Sequence, residues 1–378
     1  MKIIILGPAY PLRGGIANFN EALCRELNQM GHKGSIVSFS LQYPGFLFPG
    51  TTQLASDDPA PDGLKIETLL NSVNPVSWIT TANHIKRQKP DLLIVRFWLP
   101  FMGPALGSVI RLVKKNSNIH VAAITDNVIP HEKRMFDQSF TSWFLRGCDS
   151  FTTMTQSVAQ DLKAFGVTGN VAVSPHPVYD IFGTPVDTQV ARQQLGIQPN
   201  QKLVLFFGFI RKYKGLDLLI RAMADPRLKS MDVRLIVAGE FYEDSKPYDD
   251  LIQELGLEQQ IILHDHYIPK EQVKTYFGAA DIVAQPYRTA TQSGVTQIAY
   301  HFGRPMLVTN VGGLPEMVPD GNAGYVTAPE PEPISDALVD YFSNDRKLEM
   351  ERFVSMHKYG RRSHPCPTRR HPRRAACR

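Results

Sequence analysis

The chain is poor in cysteine, with four in 378 residues and none at zinc-ligand spacing. Two of them, Cys366 and Cys377, fall in an atypical C-terminal stretch, so a disulfide framework is not expected. Cys24 and Cys148 read as small residues buried on helices rather than as nucleophiles. Long apolar runs are also lacking. The opening MKIIILGPAYP is too short for a signal peptide. The greasiest stretch, 92–110, is broken by Arg96, Pro100 and Pro104, which argues against a membrane span. No Asp-x-Asp follows a strand, and no G-x-G-x-x-G stands behind the first one, which argues against a nicotinamide-dependent dehydrogenase. From Lys358 to the end the tail holds eight Lys or Arg and no Asp or Glu. Elsewhere 33 basic residues face 36 acidic ones, so the net charge of +5 belongs to the tail, and no nucleic-acid-binding body is implied.

What is present alternates. KIIIL (2–6) is a buried strand, followed by a helix over about 16–30 that carries Phe19, Leu23 and Leu27 on one stripe and stops at Gly31. Strands at 35–40, 91–95, 120–125 and 150–154 alternate with helices at 76–88, 105–115, 138–146 and 156–165. Residues 41–63, rich in Pro, Gly, Thr and Asp, read as a long loop. The pattern restarts with KLVLFFG (202–208), a helix over 215–223, and strands over 233–242 and 261–265. Such alternation over this length predicts two doubly wound α/β domains. We place them at 1–182 and 183–356, with a basic tail over 357–378.

Ligands on doubly wound sheets lie beyond the carboxyl ends of the strands, so the residues just after each strand are the ones to inspect. Gly14 and Gly15 open the first helix, either as a plain turn or as a loop facing a cleft. RFWLPFM (96–102) reads as core packing, or as an acceptor- or membrane-facing edge. TDNVIPHEKR (125–134) crowds Asp126, Asn127, His131 and Glu132 at a strand end, where a cleft would accommodate them. The other reading of His131 and Glu132 is a helix cap with its charge partner. In the second half, Arg211, Lys212 and Lys214 crowd one strand end and would repel each other without an anion between them. Fixed cations there are suited to the growing charge of a leaving diphosphate. Gly239 and Glu240 end the next strand. The run ATQSGV then gives Ser293 and Gly294 at a helix start, where free N–H groups favour phosphate. Gly312 and Gly313 offer a turn at which a ligand could approach the backbone.

Strand, polar loop, helix, strand, Gly-Gly-Leu-Pro-Glu and Pro-Asp-Gly, in that order over 281–326, resemble the donor half of retaining family 4 (group 1) glycosyltransferases of the GT-B fold. The likeness extends over roughly 1–350, and F-G-x-x-R-x-Y-K-G (207–215) and A-T-Q-S-G-V (290–295) resemble one bacterial branch. It implies two facing Rossmann-like domains with an interdomain cleft. Arg211 and Lys214 would grip the donor diphosphate as catalytic groups. Asp126 stands where many relatives have a histidine that touches the transferred sugar, with His131 beside it. Gly14, Gly15, Gly239, Glu240, Thr291, Gln292, Ser293 and Gly294 would line the donor site. The backbone near Tyr267 and Ile268 would hold the base, UDP and GDP being equally compatible. Two glutamates common in relatives are replaced here by Ala290 and Ile298. Glu316 remains nearby, either as a donor ligand or as a helix cap.

The implied reaction is retaining transfer from a nucleotide-sugar donor to a glycan or lipid-linked acceptor, without metal or cofactor. A cytoplasmic protein, with peripheral association at the inner membrane face, follows from the same resemblance. An epimerase or phosphorylase on this fold, or a non-catalytic nucleotide-sugar-binding subunit, are the competing readings. The tail reads as an aberrant end, or as a polybasic arm for anionic lipid or nucleic acid.

Overall fold

The computed structural model describes residues 1–45, 52–54, 60–130, 135–177 and 181–362, with side chains as far as His357. In the first half β1 (Lys2–Leu6), α1 (Gly15–Gln29), β2 (Lys33–Leu41), β3 (Ile66–Asn71), α2 (Pro75–Gln88) and β4 (Leu92–Phe97) follow in turn. Then come α3 (Gly103–Lys114), β5 (His120–Thr125), α4 (Asp137–Leu145), β6 (Ser150–Thr153), α5 (Gln156–Ala164) and β7 (Val171–Val173). The seven strands pair in the order β3-β2-β1-β4-β5-β6-β7, all parallel.

The second half opens with α6 (Thr188–Gln194), β8 (Lys202–Phe207), α7 (Leu216–Met223), α8 (Pro226–Ser230), β9 (Val233–Ala238) and α9 (Lys246–Glu254). It continues with β10 (Ile261–His264), α10 (Lys270–Ala279), β11 (Ile282–Gln285), α11 (Gly294–Phe302) and β12 (Met306–Thr309). The last elements are α12 (Leu314–Met317), β13 (Gly324–Thr327), α13 (Pro331–Ser343) and α14 (Lys347–Arg362). Its sheet runs β10-β9-β8-β11-β12-β13, again parallel throughout. In each sheet the strand order reverses at the first strand of the half, so the crevices lie between β1 and β4 and between β8 and β11.

Strand residues that alternate in sequence divide between two cores. In β8, Leu203 and Leu205 join the cluster that holds Val283, Val308, Ala299 and Phe302. Val204 and Phe206 join the opposite one with Leu219, Ile282 and Leu307. Each such side chain removed from water contributes about 1.5–3 kcal/mol. Gly215 makes the β8–α7 turn possible: its φ is 65°, and a Cβ there would lie 2.0 Å from the Pro286 carbonyl oxygen.

Two boundaries differ from the sequence expectation. The strand expected over 233–242 ends at Ala238, because Gly239 adopts φ 153° and passes so close that a Cβ would lie 2.3 Å from the Gly208 oxygen. The tail expected from 357 is still helical to Arg362. Phe353 and Val354 seat α14 on the cluster beside α11. Residues 363–378 lie outside the described residues, and so does His131. Among the described residues no helix is long and apolar enough to cross a membrane.

Candidate active site

The carboxyl ends of the two sheets face each other across a cleft. On the second domain, β8 delivers the loop from Gly208 to Lys214. Arg211 is exposed, with its guanidinium 5.0 Å from the Tyr242 ring centre. Lys214 is half-buried beside Gly208, its Nζ 3.3 Å from where a Cβ on that glycine would stand. Burial, and then the charge of Arg211, push the Lys214 amine down to about 7. Lys214 has no carboxylate partner among the described residues. A second anion-seeking feature faces it, as Lys214 and Ser293 both approach Tyr287. Ser293 is the N-cap of α11 but its hydroxyl makes no capping bond, and no acid stands in the first turn, so the amides from Gly294 onward remain available.

Ile268 is buried in the core, which leaves only its backbone to a ligand. Tyr267 is half-buried, with its ring 6.4 Å from that of Phe209. Across the cleft, Gly14 holds φ 118°, a left-handed conformation suited to glycine, and among the described residues neither Gly14 nor Gly15 has an atom within 4 Å of a would-be Cβ. Both therefore present open backbone at the start of α1. A cavity of about 240 Å³ lies beside them, lined by Arg13, Asn18, Glu21, Tyr267 and Lys270.

Among the described residues, three of the polar bridges across the cleft end on residues expected to bind the donor. Glu240 pairs with Arg13 at 2.5 Å, both side chains under a tenth exposed. The same guanidinium lies 4.5 Å from the Tyr267 ring centre. Gln292 donates its amide to Asp126 at 2.7 Å. Glu316 accepts from the backbone N–H of Gln156 at 3.1 Å, which makes it a cap for α5 of the opposite domain. Of the two roles considered for Glu316, the cap is the one with a contact, although on a helix of the other domain.

Asp126 is 7% exposed and receives two hydrogen bonds from the Arg96 side chain, so its carboxylate is already engaged. Gly312 and Gly313 turn out to admit protein rather than ligand. A Cβ on Gly312 would stand 1.4 Å from the Ala290 oxygen, and one on Gly313 2.4 Å from that of Thr291. The glycine pair thus seats the 290–292 loop. Gly239 likewise serves the close approach of β8 and β9. Thr291 and Gln292 are half-buried at the domain contact. Arg13 is a site residue that the sequence does not single out, its cue being its place against Gly14-Gly15; Arg96 stands out there only as a charge in the 96–102 edge, not as a partner of Asp126.

Comparison with known proteins agrees with this architecture. The sequence model for glycosyl transferases group 1 matches residues 187–362, and that for glycosyltransferase family 4 matches residues 13–180. The chain belongs to the group 1/family 4 glycosyltransferases. A D-inositol 3-phosphate glycosyltransferase of Corynebacterium aurimucosum is 38% identical over 189 residues, 48% of this chain and 45% of that protein. Its counterpart in Corynebacterium diphtheriae is 32% identical over 181 residues, 46% and 42% of the two chains. The match therefore spans about half the length of these curated relatives. Sucrose-phosphate synthase from Thermosynechococcus elongatus superposes with a TM-score of 0.75 at 16% identity, over 95% of this chain and 94% of that one. HepE of Anabaena, solved in complex with UDP and glucose, gives 0.73 at 18% identity over 96% and 95%. Both establish the fold as GT-B.

Proposed function

We propose that the protein transfers a sugar from a UDP- or GDP-linked donor to a hydroxyl of a glycan or lipid-linked acceptor, with retention of anomeric configuration. The observation that carries this reading is the meeting of Arg211, Lys214 and the uncapped start of α11 on one edge of the second sheet. These supply fixed positive charge to a diphosphate that leaves with the electron pair of the broken sugar–oxygen bond. The acceptor oxygen forms the new bond, and its proton passes to the departing phosphate. In this reading no divalent metal is needed, since cations and helix end already neutralise the leaving group. The relatives named above support it, as does the UDP complex of HepE. We place the reaction in the cytoplasm, with peripheral attachment to the inner membrane face when the acceptor is lipid-linked.

Calorimetric titration of the full chain with UDP and GDP, alongside an Arg211→Ala/Lys214→Ala variant, tests this. Binding of one nucleotide, lost in the variant, is the expected result. A folded parent protein that binds neither would overturn the donor site. Binding without turnover across an acceptor panel would favour a non-catalytic subunit, a reading kept open by Ala290 and Ile298, both buried where relatives carry glutamates.

A further inference from the structure

The Arg96–Asp126 pair is unusual in where it lies. Arg96 ends β4, is 2% exposed, and its guanidinium sits 4.1 Å from the Phe19 ring centre. It directs Nε and Nη2 at the two oxygens of Asp126, which follows β5. A planar guanidinium bound at two points fixes the carboxylate in rotation as well as in position. That carboxylate also accepts the Gln292 amide of the other domain. Gln292 stands two residues before Gly294, where the phosphate-binding helix begins.

The surroundings of the pair are incompletely satisfied. Among the described residues, Arg96 Nη1, Asn127 Oδ1 and Gln292 Oε1 are all buried without a hydrogen-bond partner. Each lies one hydrogen bond or one peptide unit from Asp126. Buried orphans cost about 1–3 kcal/mol each, so a cluster of one donor and two acceptors points to a ligand that supplies both kinds of group. A sugar hydroxyl is both donor and acceptor.

We infer that Arg96 is a positioning residue: it holds Asp126 where closure of the cleft brings Gln292 onto it, and the orphaned atoms around that junction take hydroxyls of the transferred sugar. The inference rests on the proposed donor site, because a sugar linked to a phosphate at Gly294 reaches the residues next to Gln292. Closure of the two domains is thereby registered at the sugar and not only at the diphosphate.

The test compares the parent, Gln292→Ala, Arg96→Lys and the charge-free double variant Arg96→Met/Asp126→Asn, which leaves no unpaired buried charge. Affinities for UDP and UDP-glucose, and for GDP and GDP-mannose, are measured on the full chain. The affinity of each variant for bare nucleotide serves as that variant's own reference. The added affinity given by the sugar should fall at least fivefold, and Arg96→Lys should not restore it, since an ammonium lacks the two-point fork. Amide exchange at 290–294, in the other domain and without ligand, should quicken in the double variant. Unchanged exchange there, or an unchanged sugar contribution, would overturn the inference. A parent that binds no nucleotide at all would instead overturn the donor site, and the exchange result would still decide the relay.

Discussion

Arg13 of the first domain and Glu240 of the second form an ion pair across the cleft that is almost shielded from water, with side-chain exposures of 6% and 8%. The arginine also covers the Tyr267 ring, so one side chain ties the start of α1 to the ends of β9 and β10. A buried charge that loses its partner is costly, and here the relief available is separation of the domains. Replacement of either residue by alanine should therefore open the cleft. Small-angle scattering should report a larger radius of gyration for Arg13→Ala and Glu240→Ala. The double variant should show a coupling of about 1–3 kcal/mol in urea denaturation.

In the proposed donor site, Lys214 should make binding depend on pH. Its amine is held down to about 7 in the empty protein, chiefly by burial. A diphosphate favours the charged form and raises that value, so binding takes up a proton wherever the free amine is neutral. Affinity should be flat below about pH 7 and weaken as pH rises above it, by up to about tenfold per unit. UDP-glucose is the better probe, because its diphosphate does not titrate in this range. Calorimetry in two buffers of different ionisation heat should detect the proton, and Lys214→Met should abolish the slope.

The same depressed value affects the fold in the opposite sense. The unfolded chain keeps this lysine charged up to its ordinary range, while the folded protein releases the proton near 7. Stability should thus rise as pH increases from about 7 towards 10, and Lys214→Met should remove that rise. Chemical denaturation at several pH values measures it.

Gly312 seats the 290–292 loop of the proposed phosphate site by having no side chain. Alanine there would place a Cβ 1.4 Å from the Ala290 oxygen at φ 52°, so the 290–292 loop must move. Gly312→Ala should lower nucleotide affinity at least tenfold. Gly321 is the control, with φ 71° and open space around it, and alanine there should cost only about 1–2 kcal/mol of stability.

Asp281 anchors the rear of the second domain. It accepts from Arg192 at 3.0 Å, from Lys347 of α14 and from the Leu203 backbone at 2.8 Å. Asp281→Asn leaves the buried Arg192 and the half-buried Lys347 uncompensated, which should cost about 3 kcal/mol in urea while nucleotide affinity stays unchanged.

The two sheets could be read from the sequence because their strands are short apolar runs bounded by turns, as in KIIIL and KLVLFF. The strand β3 is harder to see: IETLLN pairs only with β2, is half-exposed, and follows a long polar stretch. The helix α10 did carry its stripe, Val273, Tyr276 and Phe277, but starts directly after the Tyr267-Ile268 stretch, which was read for its backbone. The cations of the proposed diphosphate site stand out in the sequence because like charges at one strand end need an explanation. The bridges were not: Arg13 meets Glu240, and Gln292 meets Asp126, only after two separately cored domains have come together. Gly312 shows the same limit, since a glycine turn looks alike whether it admits a ligand or a neighbouring loop.

Among the described residues, no strand of one sheet pairs with a strand of the other. The halves are therefore separable in descent as well as in space: recombination between relatives could exchange one and keep the other. A grafted first half would need an arginine for Glu240, a carboxylate for Gln292 and a helix start for Glu316. Those three meetings, rather than either core, are where such a chimera would first fail.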